Sequence, residues 1–320
     1  MMEITVDPRK QLDILAVGSW TNFDHLFRVS RIPLAGDTVL IKSPIEQVEE
    51  TFWGGCAPNN ATASAKLGAQ VGLIGVVGGD FVSRGYDEYL RSLGVDLSGL
   101  IIVPDAYCGH SFLFSDPQGD AICISHLGIA EQQEKYEPNA SLLEDAKVVI
   151  VNYRFDRFTY LAAKIANQAG ALTIASGNLS TSPDYANSII GCADLVVCTE
   201  FELGQLIGYL GLSDKGEIFS KGVKAIIETH GVEGSEILMP QGQVHIPAVR
   251  SKKVVDPVGA GDGFVGGLAT GLAFRFSLED AVRLGAVVAS FVVEALGCQT
   301  SQPSYEQALE RLHSHFDILK

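Results

Sequence analysis

The residues best suited to chemistry lie late in the chain, in the run Asp256-Pro-Val-Gly-Ala-Gly-Asp-Gly-Phe-Val-Gly-Gly-Leu268. A proline, then small residues, then an amphipathic stretch puts Gly259, Ala260 and Gly261 at the mouth of a helix. There free backbone N–H groups and the positive end of the helix dipole converge on one point and attract an anion. Asp262 falls in the first turn of the same helix, where a carboxylate is also a good cap in any protein. Phosphoryl transfer to an alcohol needs a cradle for developing phosphate charge and a proton acceptor beside it, and this single turn offers both. Two other phosphate motifs fail. A dinucleotide fingerprint needs a third glycine where Phe264 stands, and no G-K-[S/T] string closes a P-loop.

The elements that must hold this turn can be read from hydrophobic periodicity. Short Val/Ile-rich runs at 13–17, 71–77, 147–152, 172–175, 194–198 and 225–228 alternate with helical patterns at 59–67, 86–93, 155–169, 200–209 and 261–274. That alternation predicts an α/β fold with a doubly wound, mostly parallel sheet and helices on both faces. The stretch 108–126 breaks the rhythm and reads as a hairpin over the turn at 116–119, and 37–52 reads as a second such piece. Together they predict a small antiparallel β lid, built from about 20–53 and 105–127, on one domain spanning 1–320.

Composition narrows the partners. The chain has 320 residues, 47% of them hydrophobic, so disorder is excluded. Its net charge of −15 repels polyanions, and no local basic patch invites nucleic acid or anionic lipid. The apolar stretches at 263–274 and 284–293 are shorter than a membrane span, and the charged start lacks a signal-peptide pattern. Cysteines at 56, 108, 123, 192, 198 and 298 form no C-x-x-C pair, which points to buried reduced thiols and a cytoplasmic location.

Further motifs accompany the glycine run. Gly18-Ser19 and Asn22-Phe-Asp24 follow the first strand; Gly54-Gly-Cys-Ala-Pro-Asn59 and Gly75-Val-Val-Gly-Gly-Asp80 come next; Thr229-His-Gly231-Val-Glu-Gly234 and Gly297-Cys-Gln299 come late. In type and order these motifs, with Asp256 to Asp262, resemble those of the ribokinase-like (PfkB) carbohydrate and nucleoside kinases, over about residues 12–314. The resemblance implies that ATP with Mg²⁺ phosphorylates a hydroxymethyl group. It implies that Asp262 is the catalytic base, with the N–H groups of Gly259, Ala260 and Gly261 around the transferred phosphoryl group. Thr229, Gly231 and Gly234 would hold ATP phosphates. Asn22, Asp24, Gly54, Gly55 and Asn59 would form the substrate pocket, an amide and a carboxylate suiting vicinal diols. Asp256 and Gly297 match positions that form a potassium site in some members. By the same analogy the lid's exposed edge and apolar face suggest a homodimer.

The chain also departs from the pattern. The family's Asn-x-x-Glu, which places Mg²⁺ and phosphates, appears as Thr199-Glu-Phe-Glu202, keeping the acid that reaches Mg²⁺ through water. Cys56-Ala-Pro follows the paired glycines where ribokinases carry Lys, a feature closer to nucleoside kinases. The segments 291–299 and 124–128 are similar to those of bacterial adenosine kinases of the family. Trp20, Phe23, Phe52 and Trp53 are candidates to stack a purine, or else to pack lid against body. Arg154 pulls toward a sugar acid or sugar phosphate, unless it merely pairs with Asp156. The sequence therefore predicts a kinase acting on the 5′-hydroxyl of a nucleoside such as adenosine. A sugar or sugar-acid kinase is the second reading, and a non-catalytic sensor on the same fold the third.

Overall fold

The computed structural model of the protein describes residues 4–42, 51–118 and 121–316. In chain order the elements begin with β1 (Leu12–Val17), β2 (Asn22–Arg28), β3 (Phe52–Gly54), α1 (Cys56–Lys66), β4 (Val71–Gly78), α2 (Asp80–Ser83), α3 (Tyr86–Ser92), β5 (Asp96–Val103), β6 (Gly109–Ser115) and β7 (Ala121–His126). They continue with α4 (Ala140–Asp145), β8 (Ala146–Asn152), α5 (Arg157–Gln168), β9 (Leu172–Ser176), α6 (Pro183–Ile190), β10 (Leu195–Thr199), α7 (Glu200–Leu210), β11 (Ala225–Thr229), β12 (Ser235–Met239) and β13 (Gly242–Ile246). Three helices close the chain: α8 (Ala260–Ala273), α9 (Leu278–Val292) and α10 (Tyr305–His315).

Nine strands form the large sheet, in the order β13-β12-β11-β10-β9-β8-β1-β4-β5. The seven strands from β11 to β5 run parallel, and the β12–β13 hairpin adds an antiparallel edge. Strands such as β4 are buried along their whole length because helices cover both faces, which is why they read as unbroken apolar runs. The chain winds outward from β1 through β4 and β5, then returns to β8 and winds the other way. The strand order therefore reverses beside β1, and such a reversal opens a crevice at the carboxyl ends of the strands.

The second sheet is the lid, ordered β3-β2-β6-β7. Its β6–β7 hairpin is antiparallel, as the alternation in 108–126 predicts. The lid is nevertheless a mixed sheet, because β2 and β6 lie parallel from Asn22↔Gly109 to Arg28↔Ser115. Both strands leave the body in the same direction, so two segments distant in sequence can join only that way. Of the 37–52 piece, the structure shows a bridge from Val29 to Ile41 and the start of β3; the expectation for 43–50 falls outside the described residues.

Helix α8 matters most for the site. Interior glycine costs a helix about 1 kcal/mol relative to alanine, yet α8 carries several. The packing explains them. A Cβ on Gly266 would lie 2.7 Å from Ala63 Cβ of α1, and a Cβ on Gly267 or Gly271 would lie 2.9 or 2.8 Å from Cα atoms of Gly285 or Ala281 on α9. The helix is wedged between two others at backbone distance, which fixes the direction of its N-terminus.

Candidate active site

The N-terminus of α8 points into the crevice between body and lid. Its cap, Gly259, has φ 80°, and a Cβ there would meet Cys298 Sγ at 2.7 Å, so only glycine fits. Gly261 faces open space, with nothing within 4 Å of where a Cβ would stand. That vacancy is what a cradle for an incoming phosphoryl group requires. The Ala260 N–H is partly committed, donating to Pro257 O at 3.2 Å.

Asp262 stands where two cavities meet. The smaller, of about 130 Å³, lies under the lid and is lined by Trp20, Asn22, Asp24, Gly55, Cys56, Asn59, Ser111, Cys123, Gly259, Asp262 and Cys298, among others. The larger, of about 560 Å³, runs along the carboxyl ends of β8 to β11 and is lined by Trp20, Asn152, Tyr153, Ser176 to Asn178, Thr199, Glu202, Thr229, Gly261 and Asp262, among others. A third cavity, of about 430 Å³, lies at the far end of α8 beside Leu272 and Arg275 and holds none of these groups.

The Asp262 carboxylate accepts a hydrogen bond from Asn59 Nδ2 at 2.8 Å, and the Asn60 amide donates to its backbone carbonyl at 2.8 Å. Burial pushes the carboxyl above the usual carboxylate range, while the Asn59 amide and the Cys56 thiol pull it down. A raised carboxyl is a stronger base at neutral pH.

Across the smaller cavity, Asp24 is 4% exposed and pushed up to about 7, chiefly by burial. Its partners are weak: Asn22 Nδ2 donates at 3.3 Å and Cys298 Sγ at 3.7 Å. Gly54 is needed behind it, since a Cβ there would lie 2.1 Å from Asp24 Oδ2. Asn22 Nδ2 also donates to Ser111 Oγ, which bonds Ser125 Oγ at 2.9 Å, while Asn22 Oδ1 is buried without a partner among the described residues. The alternation of β6 and β7 puts Ser111, Cys123 and Ser125 on the lid's inner side.

At the other cavity Thr199 and Glu202 form a reciprocal cap on α7: Glu202 N–H donates to Thr199 Oγ1 at 3.2 Å, and Thr199 N–H donates to Glu202 Oε2 at 2.8 Å. Thr replaces the family Asn without loss of the cap. Among the described residues no group of three or more His, Cys, Asp or Glu side chains could hold a metal ion. Mg²⁺ keeps most of its waters and binds through substrate phosphates plus one or two carboxylates. Glu202 is the acid in place to do so. Asp256 and Gly297, the expected potassium positions, are brought together: the Asp256 carboxylate accepts the N–H groups of Val258 at 3.0 Å and Gly297 at 3.3 Å.

Several expected residues stand elsewhere. Gly231 and Gly234 form the turn after β11, next to Thr229 but outside the lining of the cleft. The Arg154 guanidinium lies 3.9 Å from Asp156 and donates to Glu131 O at 3.3 Å, outside both cavity walls. Of the four aromatic candidates only Trp20 lines the cavities, edge-on to Tyr153 with ring centroids 5.2 Å apart. Trp53 stacks on Tyr86 and Tyr89, Phe23 packs on Tyr86 and His110, and Phe52 fills the space a side chain at Gly297 would need. Asp80 ties the lid to the body by accepting the Cys108 N–H at 2.8 Å. Of the six free cysteines, Cys108, Cys198 and Cys298 are buried, whereas Cys123 is exposed. Reading the sequence assigned no role to Cys298, Ser111 and Tyr86, and took Cys56 only as a small residue bearing on substrate class. The only signals were a small residue after the paired glycines and the polar face of the hairpin.

In sequence and fold the chain is similar to known kinases. The sequence profile of the pfkB family carbohydrate kinases matches residues 21–305. A nucleoside kinase of Methanocaldococcus jannaschii is 28% identical over 314 residues, covering 96% of this chain and 98% of that one. Its crystal structure superposes with a TM-score of 0.86 over 96% of this chain and 99% of that one. A Burkholderia thailandensis nucleoside kinase in complex with inosine is 26% identical with a TM-score of 0.83, covering 95% of this chain and 98% of that one. A Thermotoga maritima ribokinase is 25% identical with a TM-score of 0.80, covering 95% of this chain and 100% of that one.

Proposed function

The chain belongs to the pfkB family of carbohydrate kinases, and we propose that within it the protein transfers the γ-phosphoryl group of ATP to the 5′-hydroxyl of a nucleoside. The observation that carries this reading is the position of Asp262, shared by a small polar cavity and a long cleft at the mouth of a helix. The small cavity takes the sugar. Asp24 accepts from vicinal hydroxyls, and Asn22, whose amide nitrogen is committed to Asp24 and Ser111, offers an oxygen without a partner among the described residues. The long cleft takes ATP, with Thr199 and Thr229 along its wall. Asp262 accepts the hydroxyl proton as the new O–P bond forms and the bond from γ-phosphorus to the bridging oxygen breaks. The α8 N-terminus, through Gly259, Ala260 and Gly261, stabilises the charge spread over the transferred group. Mg²⁺, held through Glu202 and water, would neutralise phosphate charge when bound. Closure of the lid would keep water from competing with the acceptor.

Three observations favour a nucleoside over a free sugar. Trp20 and Tyr153 give the wall of the cleft an aromatic corner beside the sugar cavity; no lysine follows the paired glycines; and Arg154 faces away, which removes the argument for a sugar acid. The lid's outer face, with exposed Phe112 and Ile124, supports a homodimer through the lid, which light scattering would test. The deciding experiment measures ATP consumption against a panel of nucleosides, adenosine and inosine among them, and of pentoses, hexoses and sugar acids. Turnover highest with a nucleoside is the expected result. Turnover only with free sugars would replace the reading, and binding without turnover would make the protein a sensor.

A further inference from the structure

We infer that Tyr86 and Gln299 are positioning residues which, through a one-way hydrogen-bond chain, fix the Asn59 amide with its donor toward Asp262. The chain starts at the carbonyl of Gly54, which can only accept. Tyr86 O–H therefore donates to it, at 3.0 Å. With its proton spent, the Tyr86 oxygen accepts from Gln299 Nε2, at 2.6 Å. That fixes the Gln299 side chain with its NH₂ end inward, and the same nitrogen donates to Asn59 Oδ1 at 2.8 Å. Asn59, held by its oxygen, must turn its nitrogen to Asp262 Oδ2, at 2.8 Å. Reversing any link would set two acceptors or two donors face to face.

Burial makes the direction matter. Tyr86 is fully buried, Asn59 is 2% exposed and Gln299 4%, so water cannot repair a reversed link. Burial also holds the Tyr86 hydroxyl well above its ordinary pKa, so it stays a donor. Gln299 Oε1 is buried without a partner among the described residues, so the side chain is oriented by its nitrogen alone. An isolated Asn59 could present either end to Asp262, and presenting oxygen would set a lone pair against the carboxylate. The chain thus connects the base to β3, the lid strand paired with Asn22 in β2.

Other groups also face Asp262: the Cys56 thiol from α1, the Glu202 carboxylate from α7, and Asp24 and Cys298 across the small cavity. Of these only Cys56 bonds to the carboxyl, and its direction does not depend on Gln299.

This inference rests on Asp262 being the proton acceptor, so the test separates the two. The direct readout is the titration midpoint of the Asp262 carboxyl by ¹³C NMR, assigned by its loss in Asp262→Asn and independent of turnover. The kinetic readout is the acidic limb of kcat at saturating ATP and acceptor. Gln299→Glu replaces the inward donor by an acceptor, so Asn59 turns over and the midpoint rises by about one pH unit, a tenfold change in proton affinity. Tyr86→Phe keeps the ring on Trp53, adds no charge and frees Gln299 to rotate, so the midpoint rises by a smaller amount. The limb of kcat moves with the midpoint in both variants, and the KM for ATP stays within about twofold. An unchanged midpoint in both folded variants overturns the inference. So does a rise confined to Gln299→Glu, which would be ordinary charge repulsion. A midpoint that moves while the limb of kcat stays supports the chain and removes Asp262 as the base.

Discussion

Asp24 and Asp262 face the same small cavity, yet their surroundings differ, and in the proposed reaction their tasks differ with them. Asp262 sits on a helix held at backbone distance by two others, at the positive end of its dipole, with a directed amide at 2.8 Å. Asp24 sits on a lid strand with only a thiol at 3.7 Å and an amide at 3.3 Å, and burial pushes it to about 7. In the proposed reaction Asp262 is thereby held in place to take a proton. Asp24 is under-bonded, and it gains most when substrate hydroxyls arrive to donate to it. Rigidity belongs to the chemistry, and unmet hydrogen-bonding capacity belongs to recognition.

Removing the base should break the contrast hardest. Asp262→Asn keeps shape and the Asn59 contact but cannot take a proton, so kcat falls by roughly 10²- to 10⁴-fold with little change in the KM for ATP. Steady-state kinetics would check it, and unimpaired turnover would end the assignment. Asp24→Ala should act on the other parameter. Losing charge-assisted bonds worth about 1.5–3 kcal/mol raises the acceptor KM by roughly 10- to 100-fold and spares kcat. If both variants lost kcat alone, the two carboxylates would not divide the work as described.

The pH dependence sharpens the division. Asp24 must be ionised to accept from two hydroxyls, so the acceptor KM should rise as pH falls below about 7. The stability of the free protein runs the other way. The folded carboxyl binds its proton more tightly than the unfolded one, which titrates near about 4. Its stabilising contribution is therefore full below about pH 4 and is lost as pH rises through about 7. Asp24→Asn should flatten the stability curve across that window, as denaturant melts at several pH values would show. A wild-type curve that is already flat there would argue against an elevated Asp24.

Much of this was legible beforehand, for identifiable reasons. The buried strands predicted at 13–17, 71–77, 147–152, 172–175, 194–198 and 225–228 appear within a residue or two, because parallel strands covered on both faces must be apolar throughout. Asp262 and Gly261 could be placed at the mouth of a helix because the proline, the small residues and the run after them are contiguous in sequence; the structure puts both in the cleft lining. The parallel β2–β6 pairing could not be found, since neither strand carries a signal naming its partner. The chain through Tyr86 and Gln299 was equally hidden, because it joins residues 213 apart in sequence whose types are ordinary. The sequence could not choose between the two readings of the aromatic candidates for a related reason. Trp53 and Phe23 belong to the joint between lid and body, where large rings pack just as well as they would stack on a base.

The smallest expected effect tests the Asp262 side of the contrast by addition. At Gly261 a Cβ meets nothing within 4 Å, so Gly261→Ala disturbs no protein contact. The position is in the first turn of α8, where alanine's lower unfolded-state entropy gives about 0.5 kcal/mol, so the melting temperature should hold or rise slightly. A methyl group would nevertheless stand where the transferred phosphoryl group is to sit. The amide itself remains, so the loss in kcat should be about tenfold, less than the 10²-fold or more that deleting an oxyanion donor costs. The acceptor KM, governed by Asp24 across the cavity, should not move. A variant as stable as wild type with kcat reduced and acceptor KM unchanged would show that the vacancy over Gly261 is functional space. Full activity would place the phosphoryl group elsewhere along the cleft, nearer Thr199 and Thr229.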